Sequence, residues 1–378
     1  MIIGKHDLAL KPFRKWRNDR AIRRTCLVMV HGKPDQAILD SVSILNQYRC
    51  NGSPSYWLSL LSVEIPFFDS ATSLKVTLKR LGFPVVGSGK AALSLSRGSN
   101  GTFLATVAVS WPENSKFEYE IPELDRMRKF GAREESFWNA TCEERRIVLK
   151  KYEYSGCLQD AVESRQPLGH FTGHQQFGKN DFKAKDGVFT PHVSSLALVD
   201  TAVQFIQDFT ENILDLGTGS GCLLLSVLDA FPCNGYGIDI NHGALSLAQE
   251  NAQLLGIENV SFKYCDYTTQ DVSSVFPGVS FSVIICNPPY LPEQLASSFE
   301  GFEPKSAVSG GSDGLDMYRE IAALCKGSLQ VEPGAKLILE APGNFKHDLI
   351  TKIFSDLEFC GYGEQDAKGM NRCLVFKF

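Results

Sequence analysis

No stretch of this sequence approaches the ~20 consecutive apolar residues that cross a bilayer; its apolar runs are broken by glycine or polar side chains. A membrane-spanning helix is therefore not expected. No Cys-x-x-Cys pair occurs either. The 11 cysteines are odd in number and scattered from Cys26 to Cys373, which argues against a disulfide framework or a zinc site and points to a reducing compartment such as the cytoplasm. An excess of positive charge is missing too: 38 Lys and Arg stand against 43 Asp and Glu, a net charge of −5, so overall charge does not argue for a nucleic-acid partner. Internal repeats and low-complexity tracts are absent. What remains is a globular composition, 43% hydrophobic and 21% charged, over 378 residues, long enough for two domains.

Residues 1–24 form a basic arm, with Lys5, Lys11, Arg14, Lys15, Arg17, Arg20, Arg23 and Arg24 against only Asp7 and Asp19. That pattern suits a solvated terminus or a mitochondrial transit segment. Residues 25–115 read as mixed α/β, with an apolar run at 26–30, a helical pattern at 36–47 and a strand-like segment at 102–109. Residues 116–165 mix Arg, Lys and Glu with interspersed apolar side chains and are expected to be a helical connector. From 166 to 378 the pattern becomes regular. Strand candidates at 212–216, 235–240, 260–264, 281–286 and 335–340 alternate with helical patterns at 222–230, 244–255 and 315–329. Such alternation implies parallel pairing through crossover helices, hence an α/β doubly wound sheet.

The run Ile213-Leu214-Asp215-Leu216-Gly217-Thr218-Gly219-Ser220-Gly221 puts an apolar strand directly before three alternating glycines and an apolar helix. Glycine permits a tight turn and a close approach of backbone N–H groups to a ligand. Asp239, at the end of the next strand, and Ile240 beside it stand where a carboxylate accepts hydrogen bonds from ribose hydroxyls in nucleotide-binding sheets. A nucleoside cofactor is expected. Nicotinamide and flavin enzymes use a similar turn, so the glycines alone leave the cofactor open.

A second strand, residues 281–286, stops at Asn287-Pro288-Pro289-Tyr290. Two prolines lack N–H donors and fix φ, so the chain turns rigidly at the sheet edge that carries the glycine turn. An amide or aromatic amine nitrogen is a poor nucleophile because its lone pair is delocalised. The side-chain oxygen of Asn287 and the backbone carbonyl of Pro288 can accept both N–H bonds of an NH₂ group and hold its plane. Tyr290 is expected to stack on that group. The competing structural reading is an ordinary Asx-Pro turn.

Together, Asp215 to Gly221, Asp239 and Asn287 to Tyr290 resemble a class I S-adenosylmethionine-dependent methyltransferase of the Asn-Pro-Pro-Tyr group. Two flanks narrow the likeness: Gly169-His170-Phe171-Thr172-Gly173 with Phe177, Phe182, Gly187-Val188 and Pro191, and Phe302-Glu303-Pro304-Lys305-Ser306-Ala307-Val308 followed by Gly310 to Arg319. Both are similar to the HemK-type release-factor glutamine methyltransferases. That resemblance implies a Rossmann-like domain over 166–378 and, as substrate, the glutamine amide of a Gly-Gly-Gln tripeptide in a translation release factor. It also implies that Asp215, Gly217, Thr218, Gly219, Ser220, Gly221, Asp239, Ile240, Asp266, Tyr267 and Asn287 hold S-adenosyl-L-methionine, with Asp266 and Tyr267 flanking its adenine. Asn287, Pro288, Pro289 and Tyr290 would bind the glutamine amide. The chain departs from the family pattern at His192, Ser194 and Ser195 after Pro191, and at Glu340-Ala341-Pro342-Gly343 in place of Glu-x-Gly.

The segment from Leu27 to Pro34, with Thr72 to Val76 and Leu81 to Gly87, is similar to the second half of RNA pseudouridine synthases, but the catalytic His-Arg-Leu-Asp stretch is missing. A remnant without synthase activity would retain RNA contacts. An RNA methyltransferase acting on an exocyclic base amine is thus an alternative reading, and a non-catalytic cofactor-binding scaffold is another. His170 and His174 are spaced i, i+4, but Gly169 and Gly173 argue for a loop and against a metal pair. Cys222, Cys265 and Cys286 are expected to be packing residues, and Lys75, Lys79 and Arg80 a solvated helix face.

Overall fold

The computed structural model describes residues 23–34, 42–50, 57–66, 71–81, 83, 85–86, 104–110, 116–118, 122–164, 166–297, 301–327, 329–342 and 346–378. The basic arm lies outside the described residues except for Arg23 and Arg24. The chain divides into two units, 1–144 and 145–378, and the division falls inside one long helix, Pro122–Lys151.

The first unit is an antiparallel sheet of β1 (Arg23–His31), β2 (Val42–Arg49), β3 (Trp57–Pro66), β4 (Leu104–Ser110) and β5 (Lys116–Glu118), in the order β2-β3-β1-β4-β5. Successive side chains of a strand point to opposite faces, and both faces of β1 are covered. Cys26, Val28 and Val30 pack with Leu74 and Leu78 of helix Ala71–Arg80, whereas Leu27 and Met29 pack with Met127 and Phe130 of helix Pro122–Lys151. The sequence at 26–30 is accordingly a continuous apolar run. Gly131 allows the contact on the second face, since a Cβ there would stand 2.3 Å from the Tyr48 ring. Over its described part, 42–47, the helical pattern expected at 36–47 is not realised; residues 36–41 lie outside the described residues. Residues 42–49 are β2, and a register shift between Ile44 and Asn46 spoils the alternation that would have betrayed a strand. The stretch from 116 opens as β5, paired to β4, and only then becomes helical.

The second unit begins with short helices Leu158–Glu163 and Leu168–Thr172 and a hairpin of β6 (His174–Phe177) and β7 (Asn180–Lys183). His170 therefore lies on a one-turn helix and not on a loop; the turn ends at Gly173, in the left-handed region at φ 71°. Seven strands follow: β8 (Asn212–Leu216), β9 (Asn234–Asp239), β10 (Val260–Tyr264), β11 (Phe281–Cys286), β12 (Val331–Glu340), β13 (Glu358–Tyr362) and β14 (Cys373–Lys377). Their order is β10-β9-β8-β11-β12-β14-β13, all parallel except β14, which runs against both neighbours. The five parallel strands are those expected. The final antiparallel pair, read from no pattern in the sequence, extends the sheet at the β12 edge.

Helices cover both faces. Ile284 and Cys286 of β11 join Leu214, Tyr318, Leu337 and Phe376 in one cluster; Val283 and Ile285 join Ile213, Leu224, Leu198 and Ile338 in the other. Among the described residues no helix is long and apolar enough to cross a membrane, no group of His, Cys, Asp or Glu could hold a metal ion, and all 11 cysteines are free thiols.

Candidate active site

The chain turns one way from β8 to β9 and β10, then returns to place β11 on the other side of β8. Such a switch leaves a crevice beyond the carboxyl ends of the central strands. Register makes the crevice specific. Leu216 pairs with Cys286, and Cys286 with Leu339, so Gly217, Asn287 and Glu340 leave the ends of three adjacent strands side by side.

The glycine turn is held by its neighbours. Gly217 and Thr218 donate their N–H groups to the Ile238 carbonyl, both at 2.9 Å, and Gly221 N–H closes the turn onto Thr218. Gly217, Gly219 and Gly221 have φ of 73°, 56° and 79°, a region that disfavours any residue with a Cβ. A Cβ built on Gly217 or Gly219 meets nothing within 4 Å, whereas one on Gly221 would press on Ala248 and Leu225. The first two thus keep space open, and the third lets the helix pack. Asp215 lies behind the turn and does not line the crevice. It is fully buried, accepts a 2.8 Å hydrogen bond from Thr218 Oγ1, and is pushed up to about 7 by desolvation. Asp239 faces the crevice; its two oxygens accept N–H bonds from Gly219 and Asn241, both 2.8 Å. Burial raises its carboxyl above the usual range, against the pull of those bonds.

Around this turn lies a cavity of about 400 Å³, within the size of small-ligand sites. Gly217, Thr218, Gly219, Ser220, Asp239 and Ile240 form one wall, Asp266 and Tyr267 a second, and Asn287, Pro288 and Pro289 a third. Ten expected site residues other than Asp215, Gly221 and Tyr290 therefore meet there, together with Asn287. Asp266 is fixed by an Asx turn, accepting from the Thr268 N–H and hydroxyl, which hold its carboxyl low. Tyr290 does not line the cavity. It packs against the Tyr318 cluster, which anchors the turn, and burial pushes its phenol to about 12.

The Asn-Pro-Pro-Tyr turn is strapped by the chain after it. Leu291 N–H donates to Val308 at 3.0 Å, Gly310 N–H to Leu291 at 2.8 Å, and Glu293 N–H to Gly311 at 2.8 Å. Asn287 Nδ2 donates to Ser195 Oγ at 3.3 Å, which turns Oδ1 the other way. Three functional residues escaped the sequence reading. Ser195 was noted only as a departure. Asn251, fully buried, joins β7 to the glycine turn by bonds to Lys183 N–H and Ser220 carbonyl, at 2.7 and 2.9 Å; its signal was a polar residue on an apolar helix face. Asn241 caps helix His242–Leu255 and donates to the Gly187 carbonyl at 3.0 Å, bringing Val188 and Phe189 to the cavity.

A family model described as a methyltransferase domain matches residues 208–312. The release factor glutamine methyltransferase of Rhodospirillum rubrum is 33% identical over 219 residues, 56% of this chain and 65% of that protein. That of Geobacter sulfurreducens is 31% identical over 219 residues, 56% and 72% of the two chains, and that of Caulobacter vibrioides 35% over 180 residues, 45% and 61%. The match thus spans from 61% to 72% of the length of these relatives. With the Rossmann-like sheet, the glycine turn and the Asn-Pro-Pro-Tyr turn on one crevice, these matches place the chain in the release factor glutamine methyltransferase family.

Proposed function

We propose that the chain transfers a methyl group from S-adenosylmethionine to the side-chain amide nitrogen of a glutamine in a translation release factor. The observation that carries this reading is the sharing of one cavity by the glycine turn with Asp239 and the Asn287–Pro289 turn. The cavity suits the cofactor by its shape: Gly217 and Gly219 leave open a cradle that a Cβ would fill. Asp239 retains lone pairs for ribose hydroxyls after accepting its two backbone bonds, and Asp266 and Tyr267 are assigned to the adenine. When bound, the cofactor supplies an electrophilic methyl group on a sulfonium sulfur.

The rest is done by the chain's own residues. Asn287 Oδ1 and the Pro288 carbonyl accept the two N–H bonds of the glutamine amide, fixing its plane so that the nitrogen lone pair faces the methyl group. Neither prolyl residue can move φ appreciably, so the two acceptors keep their spacing. Pro191, Phe189 and Pro304 give the cavity an apolar lining. The amide needs no strong base, because its proton becomes acidic once the nitrogen carries the methyl group. The 11 unpaired cysteines support a reducing compartment, and the cytoplasm is the proposed location. A mitochondrial location would use the basic first 24 residues.

The test is transfer of labelled methyl from S-adenosylmethionine to purified release factor and, in parallel, to total RNA, with Asn287→Ala as the blank. Label on the Gly-Gly-Gln glutamine is the expected outcome. Label on RNA alone would move the acceptor to a base amine, and cofactor binding without transfer to either would leave a scaffold.

A further inference from the structure

Glu340 occupies the third of the three strand ends. It follows Leu339, the β12 partner of Cys286, and so stands beside Asn287. The side chain is 1% exposed, and its Oε2 has no hydrogen-bond partner. On the cavity side its neighbour is the Ser195 hydroxyl, near enough to favour the ionised carboxyl and itself the acceptor of the Asn287 Nδ2 bond. The groups facing it from other elements are Tyr290 and Cys286 from β11 and its turn, Tyr318 below, Cys222 behind, and Cys373, Arg372 and Asp366 from the β14 side. Tyr318 spends its hydroxyl proton on the Glu340 backbone carbonyl at 2.7 Å. Arg372 is engaged by Asp366 at 3.0 Å. Ser195 is thus the donor left to the Glu340 carboxylate.

We propose that Glu340 is a positioning residue that sets, through the Ser195 hydroxyl, which end of the Asn287 amide faces the methyl acceptor. This rests on the reading of Asn287 as the acceptor of an amide N–H bond. The reasoning is a count of protons. An ionised carboxylate only accepts, so the single hydroxyl proton of Ser195 goes to Glu340. Ser195 can then only accept from Asn287, which obliges Asn287 to turn its NH₂ inward and its Oδ1 toward the cavity. A protonated Glu340 reverses the relay. It donates a hydrogen bond to Ser195, Ser195 donates its own hydroxyl hydrogen bond to Asn287 Oδ1, and the amide flips its NH₂ toward the NH₂ of the acceptor, where two donors meet. Burial pushes the Glu340 carboxyl up to about 7, so the reversal falls near neutrality. Asp215, also near 7, hydrogen-bonds Thr218 instead of Ser195.

The discriminating measurement needs no turnover. In full-length protein labelled with ¹⁵N-asparagine and free of substrate, the Asn287 side-chain NH₂ signal, assigned by its loss in Asn287→Asp, is followed from about pH 5 to about pH 9. It should titrate with a midpoint near 7 and stop titrating in Glu340→Gln and Ser195→Ala. A titration that survives in Glu340→Gln, or its absence from the wild type, overturns the proposal. With release factor as substrate, wild-type kcat should fall about tenfold per pH unit below that midpoint. Glu340→Gln should have a flat acid limb and kcat lowered about 10-fold or more, with affinity for S-adenosylhomocysteine within about twofold of wild type. Ser195→Thr should restore both kcat and the acid limb. If the wild type shows the amide titration yet methylates no release factor, the substrate reading fails and the relay stands; if it methylates release factor with no titration, the relay alone fails.

Discussion

Asn287 and Asp239 divide the work of the site between them at the scale of single residues. On the proposed reading Asn287 orients the methyl acceptor while it donates an Nδ2 hydrogen bond to Ser195, so removing the side chain removes an orienting acceptor. Asn287→Ala should lower kcat about 100-fold or more while leaving S-adenosylhomocysteine affinity within about twofold by calorimetry. Equal losses in both would assign Asn287 to cofactor binding alone. Asp239 is the converse case. It is the carboxylate facing the cavity from the glycine-turn side, and Asp239→Ala deletes both its ligand bonds and the clamp on Gly219 and Asn241. Cofactor affinity should fall about 10-fold to 100-fold, as for loss of hydrogen bonds to a charged group. Unchanged affinity would remove the ribose assignment. Of these residues the sequence showed Asn287 and Asp239 by their motifs. Ser195 and Glu340 stand out in the sequence only within departures from the family pattern, and register and a turn 92 residues upstream bring them beside Asn287.

Elements were legible where one periodicity ruled. β8, β10 and β11 fall on the residues expected of them, because both faces of each strand are buried and the apolar run is unbroken. β2 was missed through its register shift, and β13 and β14 because their pattern is short and the chain between them, 363–372, is long and polar. The strap over the Asn-Pro-Pro-Tyr turn offers a test at this scale. Gly310 sits under the turn so closely that a Cβ would lie 2.6 Å from the Pro289 carbonyl and 2.9 Å from Tyr290 Cα. Backbone atoms cannot yield as a flexible side chain can. Gly310→Ala should therefore displace Asn287 from its bond to Ser195, lowering kcat about 10-fold or more and leaving cofactor affinity close to wild type. A variant with full activity would show that the strap does not hold the turn.

Across the whole molecule, buried carboxyls set the dependence of stability on pH. Desolvation raises Asp215, Glu303 and Glu340 to about 7 from 3.8, 4.5 and 4.5. The folded state then holds more protons than the unfolded one between those limits, so these groups lower stability as pH rises through the window, and the effect is complete above it. His31, in the first unit, acts oppositely: burial lowers it from 6.5 to about 4, so its contribution is lost as pH falls through that range. Asp215→Asn isolates one component. It keeps an acceptor for Thr218 and removes the charge, so in cofactor-free protein it should raise the melting temperature at about pH 8.5 and raise it by less than about half as much at about pH 5, part-way into the window. A shift of equal size at both values would trace the effect to packing.

The sequence by itself determined the α/β alternation, the glycine turn, the Asn-Pro-Pro-Tyr turn and the chemistry these residue types can perform, because each is a local property of backbone freedom or side-chain periodicity. Only the tertiary structure decided which residues meet. Strand order brought β8, β11 and β12 together from separate positions between residues 212 and 340, packed Tyr290 against the core and put Asp215 behind the loop, and aligned Gly217, Asn287 and Glu340 at one edge. Pairing register and burial are properties of the assembled sheet, and no segment of the chain encodes them alone.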